Sequence, residues 1–278
     1  PYTTLFRSYA VVRKMNNTTV LNQPDFSNLL SKVPQITALF WVTKIFATTF
    51  GETAGDAVSM SLNLGYLVGT LIFAVIFIGL VFLQIRSKRY NPYLYWFTII
   101  ASTTVGTTLA DLVDRSFGIG YVGGSSLLLS LVLISLFIWY KVEGSISPHS
   151  VNYPRAELFY WLTITFSQTL GTALGDWSAD TAGLGYSGGI FLYTGLILVI
   201  LALYFWTNIS RTLLFWSAFV LTRPLGAVVG DFLDKPIDHG GLALSRFTAS
   251  AVLLLAILLC IWMAEKFNPN PDLRESAG

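Results

Sequence analysis

One motif recurs four times along this chain without an insertion. Trp41, Trp96, Trp161 and Trp216 each stand ten positions before a glycine: Gly51, Gly106, Gly171 and Gly226. Five residues past each glycine comes an aspartate, Asp56, Asp111, Asp176 and Asp231, which gives W-x9-G-x3-[GA]-D. Chance does not produce four ungapped copies. Such a period means that one supersecondary unit is repeated and that neighbouring copies cover each other.

The solvent around those copies follows from the apolar runs. Eight of them lie at roughly 35–57, 64–85, 94–113, 119–140, 158–178, 184–206, 212–232 and 243–264. Each is close to the ~20 residues that cross a bilayer as a helix. Charged residues are 12% of the chain, half the ~25% of a soluble domain, too few to cover a soluble surface. The 15% aromatic content excludes a solvated coil. The runs lack the alternation of a membrane barrel and are twice a barrel strand's length. The expected fold is therefore an all-α polytopic membrane protein of eight transmembrane helices. Short connections predict antiparallel hairpins between neighbouring helices.

The repeats fall at 35–90, 91–150, 151–210 and 211–266, between an N-terminal tail at 1–34 and a C-terminal tail at 267–278. The first eight residues, PYTTLFRS, read as translated adapter sequence, and Met15 as a natural start. No apolar core of a signal peptide follows Met15. Separations between the tryptophans of 55, 65 and 55 divide the chain into halves. Copies two and four share D-x-x-D-[RK], at Asp111–Asp114–Arg115 and Asp231–Asp234–Lys235, so a hairpin duplicated twice accounts for the pattern. Two spans per copy give all copies one orientation, as parallel repeats about an axis along the membrane normal. Eleven basic residues fall in the tails and the even-to-odd loops: Arg13, Lys14, Lys32, Arg86, Lys88, Arg89, Lys141, Arg155, Arg211, Lys266 and Arg274. The opposite loops hold two, Arg115 and Lys235. That asymmetry predicts cytoplasmic termini.

Gly51/Gly55, Gly106/Ala110, Gly171/Gly175 and Gly226/Gly230 are spaced i,i+4, which lets helix backbones approach closely in lipid. The even helices are apolar all round. Odd helices are expected inside, even helices outside.

Stepping back in fours from each aspartate stays on one helical face. The four stripes read Lys44, Thr48, Glu52, Asp56; Ile99, Thr103, Thr107, Asp111; Ile164, Gln168, Thr172, Asp176; and Phe219, Arg223, Ala227, Asp231. Lys44 to Asp56 spans about 18 Å of membrane depth. Five carboxylates here face two bases. A central charge costs ~2.5–3.5 kcal/mol even on insertion scales, so the excess of three must be protonated, hydrated or neutralised by a bound cation. Glu52 and Asp56 are the expected cation or proton site, with Asp111, Asp176 and Asp231 at its mouth. An Arg223–Glu52 ion pair is the structural alternative. The tryptophans are expected in an interfacial aromatic belt, Asp114 and Asp234 in solvated turns, and Pro224 at a kink beside Arg223.

Four tandem two-helix units, each with a Trp and a small-xxx-small-Asp ending, resemble the bacterial family of four-fold membrane repeats of unknown function, DUF347. The likeness runs from Ser31 to Lys266. It implies eight spans and an inner-membrane location, and little chemistry.

Hard oxygen ligands predict a transporter of a small cation, preferably a divalent metal such as Mn²⁺, with proton coupling fitting equally well. A carrier of small organic solutes, with Lys44 or Arg223 holding an anion, and a structural or sensory membrane protein are the alternatives. Enzymatic activity is not expected. ALGD and VVGD only brush against the G-x-G-D element of intramembrane aspartyl proteases, and no Ser–His or His–Glu constellation occurs in a span. Net charge is +2, with scattered bases, so no nucleic-acid partner is expected. Cys260, His149 and His239 make no metal cluster, and no cofactor is implied. The bilayer and a small cation or proton are the expected partners. Oligomeric state is not legible.

Overall fold

The computed structural model describes residues 32–267. The segment 1–8, the start at Met15, most of both tails, and Arg13, Lys14 and Arg274 lie outside the described residues. Eight long helices run through the rest: α1 Ala38–Asp56, α2 Gly65–Arg86, α3 Pro92–Asp111, α4 Gly120–Glu143, α5 Pro154–Asp176, α6 Gly185–Trp206, α7 Arg211–Asp234 and α8 Arg246–Phe267. Their starts are marked locally. The Thr37 hydroxyl accepts from the Phe40 N–H, the Asn91 side chain accepts from the Leu94 N–H, and Pro92 and Pro154 open α3 and α5.

The first three aspartates of the motif each end an α-helix. The chain continues past them in a wider π-type turn, at Ala57–Ser61, Leu112–Ser116 and Trp177–Thr181. The fourth helix instead runs past Asp231 to Asp234. After each π-type turn the chain reverses through two left-handed residues: Asn63 and Gly65, Gly118 and Gly120, Gly183 and Gly185. An [NG]-[LI]-G-Y element marks the turn in all three copies.

The odd helices form a closed inner ring, α1–α3–α5–α7 and back to α1. Each even helix packs outside, against the inner helix of the following repeat: α2 on α3, α4 on α5, α6 on α7, and α8 on α1. The expected hairpins therefore form only at the even-to-odd connections. Across the odd-to-even turns the helices do not pack along one another, because the π-type turn and its left-handed residues carry the chain sideways to the next repeat. Burial separates the two layers: 83% of the apolar window of α3 is enclosed against 11% of that of α2.

Among the described residues, six helices are long and apolar enough to cross a membrane. The other two are α1, with Lys44, Glu52 and Asp56, and α5, with Arg155, Glu157 and Asp176. They stand in the ring between α3 and α7 and cross with them, so the molecule is a bundle of eight transmembrane helices.

The ring keeps one register. A Cβ on Gly51 would meet Thr103 Oγ1 at 2.2 Å, one on Gly106 the Gln168 backbone at 3.0 Å, one on Gly171 Arg223 Cγ at 2.2 Å, and one on Gly226 Thr48 Oγ1 at 2.3 Å. In each case the motif glycine meets the residue eight before the aspartate of the next copy. One turn later Gly55 faces Thr107, Gly175 faces Ala227 and Gly230 faces Glu52; Ala110 stands at the corresponding place in α3 and is buried. Threonines use this closeness. Thr48 Oγ1 donates to the Thr222 carbonyl and Thr103 Oγ1 to the Ala47 carbonyl, both at 3.1 Å, and Thr107 Oγ1 to the Gly51 carbonyl at 3.2 Å. Those bonds tie helix to helix where lipid offers no competing partner.

The motif tryptophans overturn the belt expectation. Trp96, Trp161 and Trp216 are buried, and Trp41 is partly buried beside Phe40. They stack with Tyr95, Trp139, Tyr160 and Phe215 into an aromatic plug, with the Tyr95 and Tyr160 hydroxyls 2.6 Å apart. Belt residues lie where a helix meets lipid headgroups. These lie on inner helices one position past Phe40, Tyr95, Tyr160 and Phe215, and each packs against the aromatic residue of the preceding inner helix, so that large rings fill the end of the ring.

Candidate functional site

Four stripes at a common register make four layers along the axis. Next to the aromatic plug lie Lys44, Ile99, Ile164 and Phe219, all fully buried. Above them come Thr48, Thr103, Gln168 and Arg223, then Glu52, Thr107, Thr172 and Ala227, and last the ring of Asp56, Asp111, Asp176 and Asp231. All twelve side chains of these three layers are buried.

Arg223 organises the middle. Its Nη2 donates to Glu52 Oε2 at 3.0 Å, to Thr107 Oγ1 at 2.6 Å and to Thr172 Oγ1 at 2.5 Å. The Arg223–Glu52 pair named as the structural alternative is thus formed, with Arg223 wholly enclosed. Lys44 has weaker company: its Nζ lies 4.2 Å from the centroid of the Phe219 ring and donates to Gln168 Oε1 at 3.5 Å. Helix α7 continues through Pro224, whose ring lies against Gly171.

The aspartate ring is closed by bases that the sequence reading left in solvent. Arg115 Nε is 2.8 Å from Asp111 Oδ1, and its Nη2 is 3.5 Å from Asp176 Oδ2. Lys235 Nζ is 3.0 Å from Asp231 Oδ1 and 2.5 Å from Asp56 Oδ2. Each base therefore links its own copy to the next one round the ring. Arg246 at the start of α8 adds contacts to Asp56 at 3.8 Å and Asp234 at 2.6 Å. The location has a cause: carboxylates at a helix C-terminus oppose its dipole, so cations are needed beside them. Burial works against the Lys235 ammonium, but Asp231, Asp56 and Asp234 outweigh it and raise its pKa well above the lysine range.

The solvated-turn expectation for Asp114 and Asp234 is corrected, since both are buried. Asp234 accepts from Arg246 Nε. Asp114 has no hydrogen-bond partner on either oxygen and lies against Gly124. The charge count changes with them. Arg115, Lys235 and Arg246 join the bases while Asp114 and Asp234 join the acids, so seven carboxylates face five bases and the excess falls from three to two.

Among the described residues, one group of three metal-ligating side chains converges: Glu52, Asp56 and Asp231, each offering a buried carboxylate oxygen within 4.8 Å of the others. Asp231 was assigned to the mouth; it joins the pair because α7 packs on α1 across the Gly230–Glu52 contact. Asp111 and Asp176 are held together separately by Arg115. Away from the site, His149 and His239 lie in short 3₁₀ turns, and Cys260 is buried packing in α8.

Sequence reasoning missed Arg115, Lys235 and Arg246. The signal for the first two was the D-x-x-D-[RK] element itself, which sets the base four residues after the motif aspartate, one helical turn away. No curated protein and no solved structure matches the chain significantly. A repeat family does, the Repeat of Unknown Function (DUF347), over residues 39–90, 94–145, 159–210 and 214–266. Those four segments cover most of the chain and coincide with the four inner–outer helix pairs, so the chain belongs to the DUF347 repeat family.

Proposed function

We propose that this protein is a membrane transporter of a small cation, with a divalent metal such as Mn²⁺ as preferred cargo and proton exchange at the same carboxylates as the coupling step. The observation that carries this reading is the buried convergence of Glu52, Asp56 and Asp231 within 4.8 Å. Oxygens at that separation suit a hard cation coordinated at ~2.0–2.6 Å. Lys235 Nζ sits between two of the three, a tethered cation where a mobile one would compete. Its side chain is 14% exposed and follows the end of α7, so it has a route outward.

The same reading places the protein in an inner membrane with both termini cytoplasmic. Lys32, Arg86, Lys88, Arg89, Lys141, Arg155, Arg211 and Lys266 gather at the plug end, the distribution expected of a cytoplasmic face. At the aspartate end Arg115, Lys235 and Arg246 are each engaged with carboxylates.

A second reading, a closed structural network, rests on the Glu52–Arg223 pair at 3.0 Å. The test combines two measurements on one pair of variants, Glu52→Gln and Asp56→Asn. Transport predicts that Mn²⁺ raises the unfolding midpoint of the purified protein, and that both variants lose this shift and lose metal accumulation in cells assayed by elemental analysis. Unchanged metal content on expression of the wild-type protein, across several challenged metals, refutes the transport reading.

A further inference from the structure

The positive charge inside the bundle is not matched where it lies. Lys44 and Arg223 are both fully enclosed. The one carboxylate in contact with either is Glu52, and it engages Nη2 of Arg223 alone. Arg223 Nε and Nη1 have no hydrogen-bond partner, and neither does Gln168 Nε2, although both residues are fully buried. Lys44 has a 3.5 Å bond to Gln168 Oε1 and an aromatic face. Buried donors of this kind cost free energy when left unmade, and an ammonium or guanidinium in a low-dielectric layer costs more.

We propose that Lys44, Gln168 and Arg223, on two adjacent layers, form a binding site for one small monovalent anion, of halide or nitrate size. The valence follows from formal charge: with Lys44 as an ammonium, two cations less the Glu52 carboxylate leave one positive charge to be balanced. Enclosure limits the size, because these side chains lie fully buried between the aromatic plug and the Glu52 layer. The donors fit the ligand class. An ammonium, a side-chain amide N–H and two guanidinium N–H groups are available to donate to a spherical or planar anion. This site lies one turn below the carboxylate group on the same stripes and does not depend on the cation reading. An anion here and a cation at Glu52, Asp56 and Asp231 would neutralise each other across Arg223.

The test uses the purified full chain in nanodiscs, with gluconate as the background anion and chloride, then bromide, as probes. Equilibrium binding of radiolabelled chloride is expected to saturate at one site per chain. Lys44→Met and Gln168→Leu are expected to weaken it by roughly tenfold or more, the scale of one charge-assisted hydrogen bond. Helical circular dichroism confirms that each variant is folded. Crystals grown in bromide are expected to show an anomalous peak between Lys44 Nζ and the Arg223 guanidinium, and this holds as a test of the wild-type protein even where both variants fail to fold. Absence of saturable chloride binding, wild-type affinity in both folded variants, or a bromide peak elsewhere overturns the assignment. Loss of Mn²⁺ stabilisation with chloride binding intact refutes the cation reading alone.

Discussion

Replacing single glycines by alanine separates the packing role of the motif from helix propensity. At Gly226 the new Cβ would lie 2.3 Å from Thr48 Oγ1 and 2.8 Å from the Thr48 backbone carbon. A backbone atom cannot rotate away, so α7 and α1 must part. Overpacking of this kind costs ~1–3 kcal/mol, and the Thr48 bond to the Thr222 carbonyl adds about 1 kcal/mol when stretched. Helix propensity returns about 1 kcal/mol, which leaves a net loss of roughly 1–3 kcal/mol. At Gly195 on outer helix α6 the same Cβ meets nothing within 4 Å, and only the propensity gain of up to ~1 kcal/mol remains. Gly55→Ala falls between, because its nearest contacts are at 3.1 Å and belong to the Thr107 side chain. Reversible unfolding in mixed micelles, followed by circular dichroism, measures the order: Gly226→Ala least stable, then Gly55→Ala, then Gly195→Ala at or above wild type. A Gly226→Ala protein as stable as Gly195→Ala would refute the close-packed ring.

Glu52→Gln is expected to destabilise by about 3–5 kcal/mol, because it strands the Arg223 charge in the interior; adding Arg223→Met should recover most of that loss in a double-mutant cycle. Asp114→Asn and Asp234→Asn are expected to shift the unfolding midpoint in opposite directions. The first removes a buried charge without a partner and stabilises by about 1 kcal/mol, while the second breaks the 2.6 Å contact to Arg246 and destabilises. Lys235→Met removes the ammonium between Asp56 and Asp231. Its Mn²⁺-dependent rise in unfolding midpoint is expected to exceed that of the wild-type protein, and a smaller rise counts against a cation site there.

The inner and outer layers were legible because their signal is local. Spacing of small residues i,i+4 and the uniform apolarity of the even helices each read off a single segment. The stripe was legible for the same reason, since positions four apart share a face whatever the helix packs against. Which helix meets which was not. Odd-to-even neighbours joined by a short turn look like a hairpin, and the sideways step at Asn63–Gly65 and its counterparts shows only in backbone angles. The tryptophans failed differently: an interfacial depth was readable from their position in each span, but depth does not say whether a side chain faces lipid or axis. Arg115 and Lys235 were placed at the correct end of the bundle, but their links across the seams were not legible, because Asp176 and Asp56 come from the next repeat.

Symmetry in this molecule is lost in steps, and each step has its own chemistry. Packing is four-fold: every seam of the ring repeats the approach of a small residue to the layer eight or four before the next aspartate. The aspartate ring is two-fold, because only copies two and four carry the base that closes two seams, Asp111 with Asp176 and Asp231 with Asp56. The middle has no symmetry at all. Glu52 and Lys44 each occur once, where the other copies carry threonine, alanine or an apolar side chain, and Gln168 and Arg223 share one position with Thr48 and Thr103. A purely structural repeat gains nothing from that last step, since a buried ion pair is often replaceable by apolar side chains at no loss of stability. Four identical polar layers would be the cheaper way to fill the ring. Placing bases and acids at successive depths, with Lys44 and Arg223 below and Glu52 and the aspartate ring above, builds a potential that changes sign along the axis.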